Sequence, residues 1–153
     1  FCEKELQECG LDFIVKQANT SENYKALTLR GFHMQLPPHG ENKIISCFKG
    51  EIHDIVIDLR KDSATYLEFT SFVLSPENRK SVLVPKGCAN AFLTLKDETL
   101  IHYYHDEFYT PGAEAGLRYN DPFFSFDWPK EPSVISNKDA SIPDFESNLK
   151  NIL

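Results

Sequence analysis

The chain of 153 residues has room for one core of ordinary size and not for two. At 41% hydrophobic, 12% aromatic and 25% charged residues, it has the balance of a folded globular protein rather than a disordered tail. A net charge of -7 repels phosphate backbones and argues against nucleic acid as a partner, although a local basic pocket can still take a small anion.

No apolar run approaches the roughly 20 residues a helix needs to cross a bilayer, so no membrane partner is expected. The charged opening FCEKELQECG does not read as a secretory leader. The four cysteines, Cys2, Cys9, Cys47 and Cys88, contain no CxxC pair and read as reduced thiols of a cytoplasmic protein.

Residues 2–9 predict a short helix stopped by Gly10, the residue that most easily takes a left-handed C-terminal cap. From there the period changes. Short β-rich runs follow at 11–17, 26–35, 43–50, 51–60, 66–74, 81–85, 89–95 and 99–105, separated by turn chemistry such as LPPHGE, RKDSAT and SPENRK. In EIHDIVIDLR, Ile55, Ile57 and Leu59 alternate with Val56, Asp58 and Arg60, the signature of a half-buried strand. Eight short strands with no long helical period between them predict an antiparallel sandwich or barrel. From residue 130 the pattern dissolves into Pro- and Asp-rich loop, and DFESNLKNIL can close as one short helix.

Three clusters carry candidate chemistry. In LRGFHMQ, Arg30 and His33 stand three residues apart, which in a regular strand places them on opposite faces. Gly31 lies between them where a bulge would bring both to one face. In LIHYYH, His102 and Tyr104 share one face and Tyr103 and His105 the other, an arrangement that aromatic packing alone would also explain. SNKD, residues 136–139, reads locally as a polar loop. A metal on His33, His39 and Glu41 is disfavoured, because Pro37 and Pro38 place His39 in a loop.

Together these runs resemble the dTDP-4-dehydrorhamnose 3,5-epimerase family, cupin-type barrels acting on nucleotide-linked 4-keto sugars. The matching stretches are LRGFHMQ, KGEIHDIVIDLR, LSPENRKSVLVPKGCANAF, HYYHDEFYTP, GLRYNDPFFSFDWP and SNKD, in the family's order and across residues 11–143. The resemblance implies an all-β cupin or jelly-roll antiparallel barrel with short terminal helices. It implies one domain over 1–153 lacking an N-terminal β segment, and a homodimer. His33 falls at the family's catalytic base, Asp139 at its carboxylate partner and Tyr103 at the acid. Arg30 and Lys43 fall at basic positions near the keto sugar and diphosphate, and Tyr109 at the aromatic that stacks on the base. Glu114, Lys138, Gln17 and Asn19 match further substrate contacts.

These residue types suit the chemistry. A proton alpha to a ketone is removable where the enolate is stabilised, and imidazole, with an ordinary pKa near 6.5, is a suitable base. A carboxylate fixes the tautomer, an ammonium meets the developing enolate charge, and a tyrosine reprotonates from the other side. No cofactor is called for, and the partner implied is a nucleotide-diphosphate sugar. Asn90 stands where the family has His in Pro-x-Gly-x-Ala-His. That departure opens two alternatives: inversion at C-3 or C-5 alone, or a nucleotide-sugar-binding cupin without catalysis.

Overall fold

The computed structural model describes residues 1–147 and 149. Helix α1 (Glu3–Glu8) ends as predicted, with Gly10 at φ +79. Ten strands follow among the described residues: β1 (Gln17–Asn23), β2 (Thr28–Gln35), β3 (Lys43–Lys49), β4 (Ile52–Asp58), β5 (Phe69–Leu74), β6 (Ser81–Val84), β7 (Cys88–Thr94), β8 (Thr99–His105), β9 (Glu114–Gly116) and β10 (Val134–Ile135). Helix α2 (Asn137–Ala140) and a 3-10 turn (Phe145–Ser147) close the described chain.

The strands form two facing sheets. One is ordered β1-β8-β3-β6 and the other β10-β2-β7-β4-β5, with β9 also on β2. All pairings are antiparallel except β10 on β2, which is parallel. This is the all-β cupin-type architecture that the strand pattern and the resemblance imply.

Two cores hold it together. Between the sheets, Ile45, Cys47, Ile52, Leu74, Val82, Val84, Phe92 and Ile101 pack into one cluster. On the outer face of the larger sheet, Phe32, Ile55, Ile57, Leu59, Ala89 and Ala91 form another, covered by Phe124, Phe126, Trp128 and Phe145 from the C-terminal stretch. Strand β7 is therefore buried along its whole length, one face to each core. Truncating a fully buried ring such as Phe32 to Ala would cost about 3–5 kcal/mol.

Several sequence expectations need correcting. The first strand is Gln17–Asn23, not 11–17. It is a polar edge strand paired to β8 at all seven positions, from Gln17↔His105 to Asn23↔Thr99, and backbone pairing rather than apolar periodicity defines it. Residues 51–60 are not half-buried. Ile55 and Ile57 face the outer core while Asp54 and Asp58 are also buried, so the alternation separates two interiors rather than core from solvent. The stretch after 130 contains β10 and α2. Of the expected C-terminal helix, residues 145–147 form a 3-10 turn, while 148 and 150–153 lie outside the described residues. All four cysteines are free, Cys47 and Cys88 buried and Cys2 and Cys9 exposed.

Candidate active site

A cavity of about 530 Å³ opens between the sheets. Its walls follow from strand register. On the smaller sheet one rung reads Gln17–His105–Lys43 and the next Asn19–Tyr103–Ile45, all on the inner face. On the larger sheet, Arg30 pairs with Phe92 and His33 with Asn90, so three steps on β2 match two on β7. This is the bulge anticipated at Gly31, and it brings Arg30 and His33 to the same cavity. Only glycine fits there. Gly31 has φ +109, and a Cβ would lie 2.5 Å from the Asn90 carbonyl oxygen and 2.7 Å from Ala91 Cα.

His33 Nε2 lies 2.6 Å from Asp139 Oδ1. The side chain of His33 is 47% exposed, toward the cavity, whereas that of Asp139 is 4% exposed. Asp139 sits on α2, whose N-cap Ser136 accepts the Asp139 backbone N–H at 3.0 Å. Burial is the largest single influence on this carboxyl and pushes its pKa up. The hydrogen bond and charge of His33, helped by Ser136 and the Gly31 amide, outweigh it and hold the carboxyl below its ordinary range.

The opposite wall carries Lys43 and Tyr103. Lys43 Nζ donates to the backbone carbonyl of His33 at 3.1 Å and lies 3.8 Å from Glu41 Oε1. Burial lowers its pKa, against the opposing charges of Glu41 and Asp54. Burial drives the Tyr103 phenol well above its ordinary pKa, and the Asp54 charge adds to this while Arg30 opposes it. The group is thereby kept protonated. Arg30 Nε donates to Asn23 Oδ1 at 2.8 Å. Asn90 Nδ2 donates to Asp54 Oδ1 at 3.1 Å, beneath the cavity, and burial raises the Asp54 carboxyl to about 7.

A second region gathers at the mouth. Gln17 Nε2 donates to Asn19 Oδ1 at 2.7 Å, and Gln17 Oε1 accepts the Tyr109 backbone N–H at 2.9 Å. The Tyr109 ring is exposed, and Glu114 pairs with Lys138 at 2.6 Å. Thus His33, Tyr103, Arg30, Lys43, Asn90, Tyr109, Glu114, Lys138, Gln17 and Asn19 all line one cavity, with Asp139 directly behind His33.

Four participants stand outside the substrate site that the resemblance implies. Gln35 ties the Tyr109 loop down, accepting Thr110 N–H at 2.7 Å and donating to the Phe108 carbonyl at 3.2 Å. Asp54 was detectable as a carboxylate set among the apolar residues of IHDIVID. Glu41 and His105 pair at 2.9 Å on the cavity wall. His39 instead meets Thr110 Oγ1 at 3.4 Å, so His33, His39 and Glu41 do not converge.

An antiparallel barrel whose cavity sets an imidazole–carboxylate pair on one sheet against a phenol and an ammonium on the other is the framework of a cupin-type sugar isomerase. The family model for dTDP-4-dehydrorhamnose 3,5-epimerase matches residues 1–147. The chain belongs to the dTDP-4-dehydrorhamnose 3,5-epimerase family, a family of isomerases. It is 40% identical over 145 residues to the dTDP-4-dehydrorhamnose 3,5-epimerase of Methanothermobacter thermautotrophicus, covering 92% of this chain and 77% of that protein. The crystal structure of the Bacillus anthracis enzyme with TDP and PPi bound superposes with a TM-score of 0.91 at 36% identity, covering 94% of this chain and 82% of that one. A 3'-monoepimerase from Streptomyces bikiniensis in complex with dTDP-quinovose gives a TM-score of 0.90 at 28% identity, covering 100% and 78%.

Proposed function

We propose that the protein epimerises a dTDP-linked 4-keto-6-deoxy sugar at the carbons flanking the ketone, by enolate chemistry that draws on no cofactor. The observation that carries this reading is the His33–Asp139 pair at 2.6 Å, facing the cavity from the sheet opposite Tyr103 and Lys43. The His33 ring nitrogen not held by Asp139 takes the proton from the carbon, and Asp139 stabilises the imidazolium that results. As the C–H bond breaks, its electron pair moves into an enolate whose oxygen Lys43 and Arg30 neutralise. Tyr103 then delivers its proton to the other face of the carbon, and the centre is inverted. Asp54 and Glu41 keep positive charge on the buried Lys43, which burial alone would discharge.

Tyr109, Gln17 and Asn19 at the mouth suit the base, and Lys138 with Glu114 the ribose and diphosphate end. The relatives' named ligands, TDP and dTDP-quinovose, support thymidine as the nucleoside. Proton NMR of a dTDP-4-keto-6-deoxyhexose incubated with the protein tests the reading. An epimerised product, abolished in His33→Ala, is expected; full turnover by His33→Ala overturns it.

Asn90 favours a second reading, inversion at one carbon only. An amide can bond a sugar hydroxyl but neither accepts a proton nor carries charge, and a structurally similar relative is a 3'-monoepimerase. The same spectrum, taken in D2O, separates the two, since loss of one ring-proton signal to deuterium marks one carbon touched. A pure binding protein would need no acid and base on opposite walls, which weighs against the non-catalytic alternative. We further place the protein in the cytoplasm and as a homodimer. The outer face of the smaller sheet, where exposed Phe48 stacks on His102 at 5.2 Å, supplies apolar surface for a second copy. Sedimentation at the monomer mass would refute the dimer.

A further inference from the structure

Proton balance on the proposed reaction leaves one task without a residue. Each inversion breaks a C–H bond in favour of His33 and breaks the Tyr103 O–H bond in favour of carbon. His33 thus gains one proton and Tyr103 loses one. Neither a second inversion nor a second turnover can begin until His33 has released its proton and Tyr103 has regained one. His33 is half exposed and can exchange with water at the mouth. Tyr103 cannot do so easily: it sits in the second rung, packed against the apolar cluster between the sheets.

His105 is the titratable group placed to serve it. The residues stand two apart on β8, hence on one face, and both line the cavity. Their rings lie 6.0 Å apart, centroid to centroid, at 27°. His105 occupies the outer rung, between Gln17 and Lys43. Its Nδ1 is 2.9 Å from Glu41 Oε2, and Glu41 Oε1 in turn is 3.8 Å from Lys43 Nζ. The charged and titratable groups facing it are therefore Glu41 from the β2–β3 connection, Lys43 from β3 and Tyr103 from its own strand. The His105 and Glu41 side chains are 11% and 10% exposed, sheltered but within reach of the mouth.

Resting on the enolate reading, we propose that His105, oriented by Glu41, relays a proton back to Tyr103 between inversions through a water molecule in the cavity. The imidazolium N–H bond breaks, the water passes a proton to the phenolate, and His105 takes its replacement from solvent. Glu41 Oε2 holds the ring by Nδ1 at 2.9 Å, which leaves Nε2 as the relaying nitrogen. Because the relay acts after carbon has been reprotonated, its loss spares the first inversion and falls on every later one.

Rapid quench separates this role from a brace. With dTDP-4-keto-6-deoxyglucose in excess, His105→Gln is expected to give a burst of about one inverted centre per enzyme, at the wild-type rate. A steady state slowed about 10-fold or more should follow. Glu41→Gln, which keeps the imidazole, should show the same pattern more weakly. In His105→Ala, added imidazole should restore the steady state and leave the burst alone. Equal losses in burst and steady state would assign the pair a structural role and overturn the proposal, as would no loss in either. Wild-type turnover with an unaffected His105→Gln would sink the relay only; no wild-type turnover would sink the enolate reading and the relay with it.

Discussion

Replacing Asp139 by Asn removes one charge and keeps the shape. The carboxylate accepts from His33 at 2.6 Å and is almost wholly buried, so its charge acts on the imidazole without much solvent in between. A charge-assisted hydrogen bond contributes about 1.5–3 kcal/mol. The imidazole is 47% exposed, and screening from that side argues for the lower half of the range, about 2 kcal/mol. At about 1.4 kcal/mol per tenfold in rate, kcat should fall roughly 30-fold. It should fall further where the new amide donates to Nε2, because that holds the proton on the nitrogen needed as base. The bond strengthens as the imidazolium forms, so KM should change little. The assay is the initial rate of epimerisation by NMR, with a thermal melt as control. The Ser136 cap uses the Asp139 backbone N–H and survives the substitution. A kcat within threefold of wild type, or a loss confined to KM, would refute the reasoning.

Three other outcomes follow from the same geometry. Asp54 has a folded-state pKa of about 7, above its value of 3.8 when solvated, so the protein is fully stabilised by its protonation below about pH 4 and loses that contribution as pH rises through 7. The shift of about three units sets an order of 4 kcal/mol, so Asp54→Asn should gain stability over wild type in urea unfolding at pH 8 and not at pH 4; equal differences at the two would contradict this. Gly31→Ala forces a Cβ against the Asn90 carbonyl at a positive φ and should cost about 3 kcal/mol or more, read as a lower melting temperature; an unchanged melt would mean that the bulge relaxes. Tyr109→Ala removes an exposed ring at the mouth and should raise KM up to about 10-fold with kcat kept, from the roughly 0.5–1.5 kcal/mol of an aromatic stack; a fall in kcat alone would move Tyr109 away from the nucleotide.

Much of this molecule was legible before folding, and particular residues show where legibility stops. The strands from 26 to 105 announce themselves because their apolar positions alternate between turns. The bulge at Gly31 was also readable, since Arg30 and His33 share a face only if one residue is extra. Strand β1 was not, because QANTSEN carries no apolar period and is strand through its pairing with β8 alone. The two-sided burial of β4 and β7 was hidden too. One sheet face meets the barrel interior and the other meets Phe124, Phe126 and Trp128 from a stretch that reads as loop. SNKD looks like a polar loop until α2 carries Asp139 onto a histidine 106 positions away. The Glu41–His105 pair was invisible for the same reason, being made where the β2–β3 connection meets the end of β8.

The central claim, that the cavity removes and returns protons at carbon next to a ketone, is tested most directly by solvent deuterium. A dTDP-4-keto-6-deoxyhexose incubated with the protein in D2O should acquire label at C-3, C-5 or both, seen by NMR, with none in His33→Asn. Label at one carbon alone would select the single-inversion reading associated with Asn90. Binding without label, seen as shifted ligand resonances with ring-proton intensities undiminished, would contradict the account.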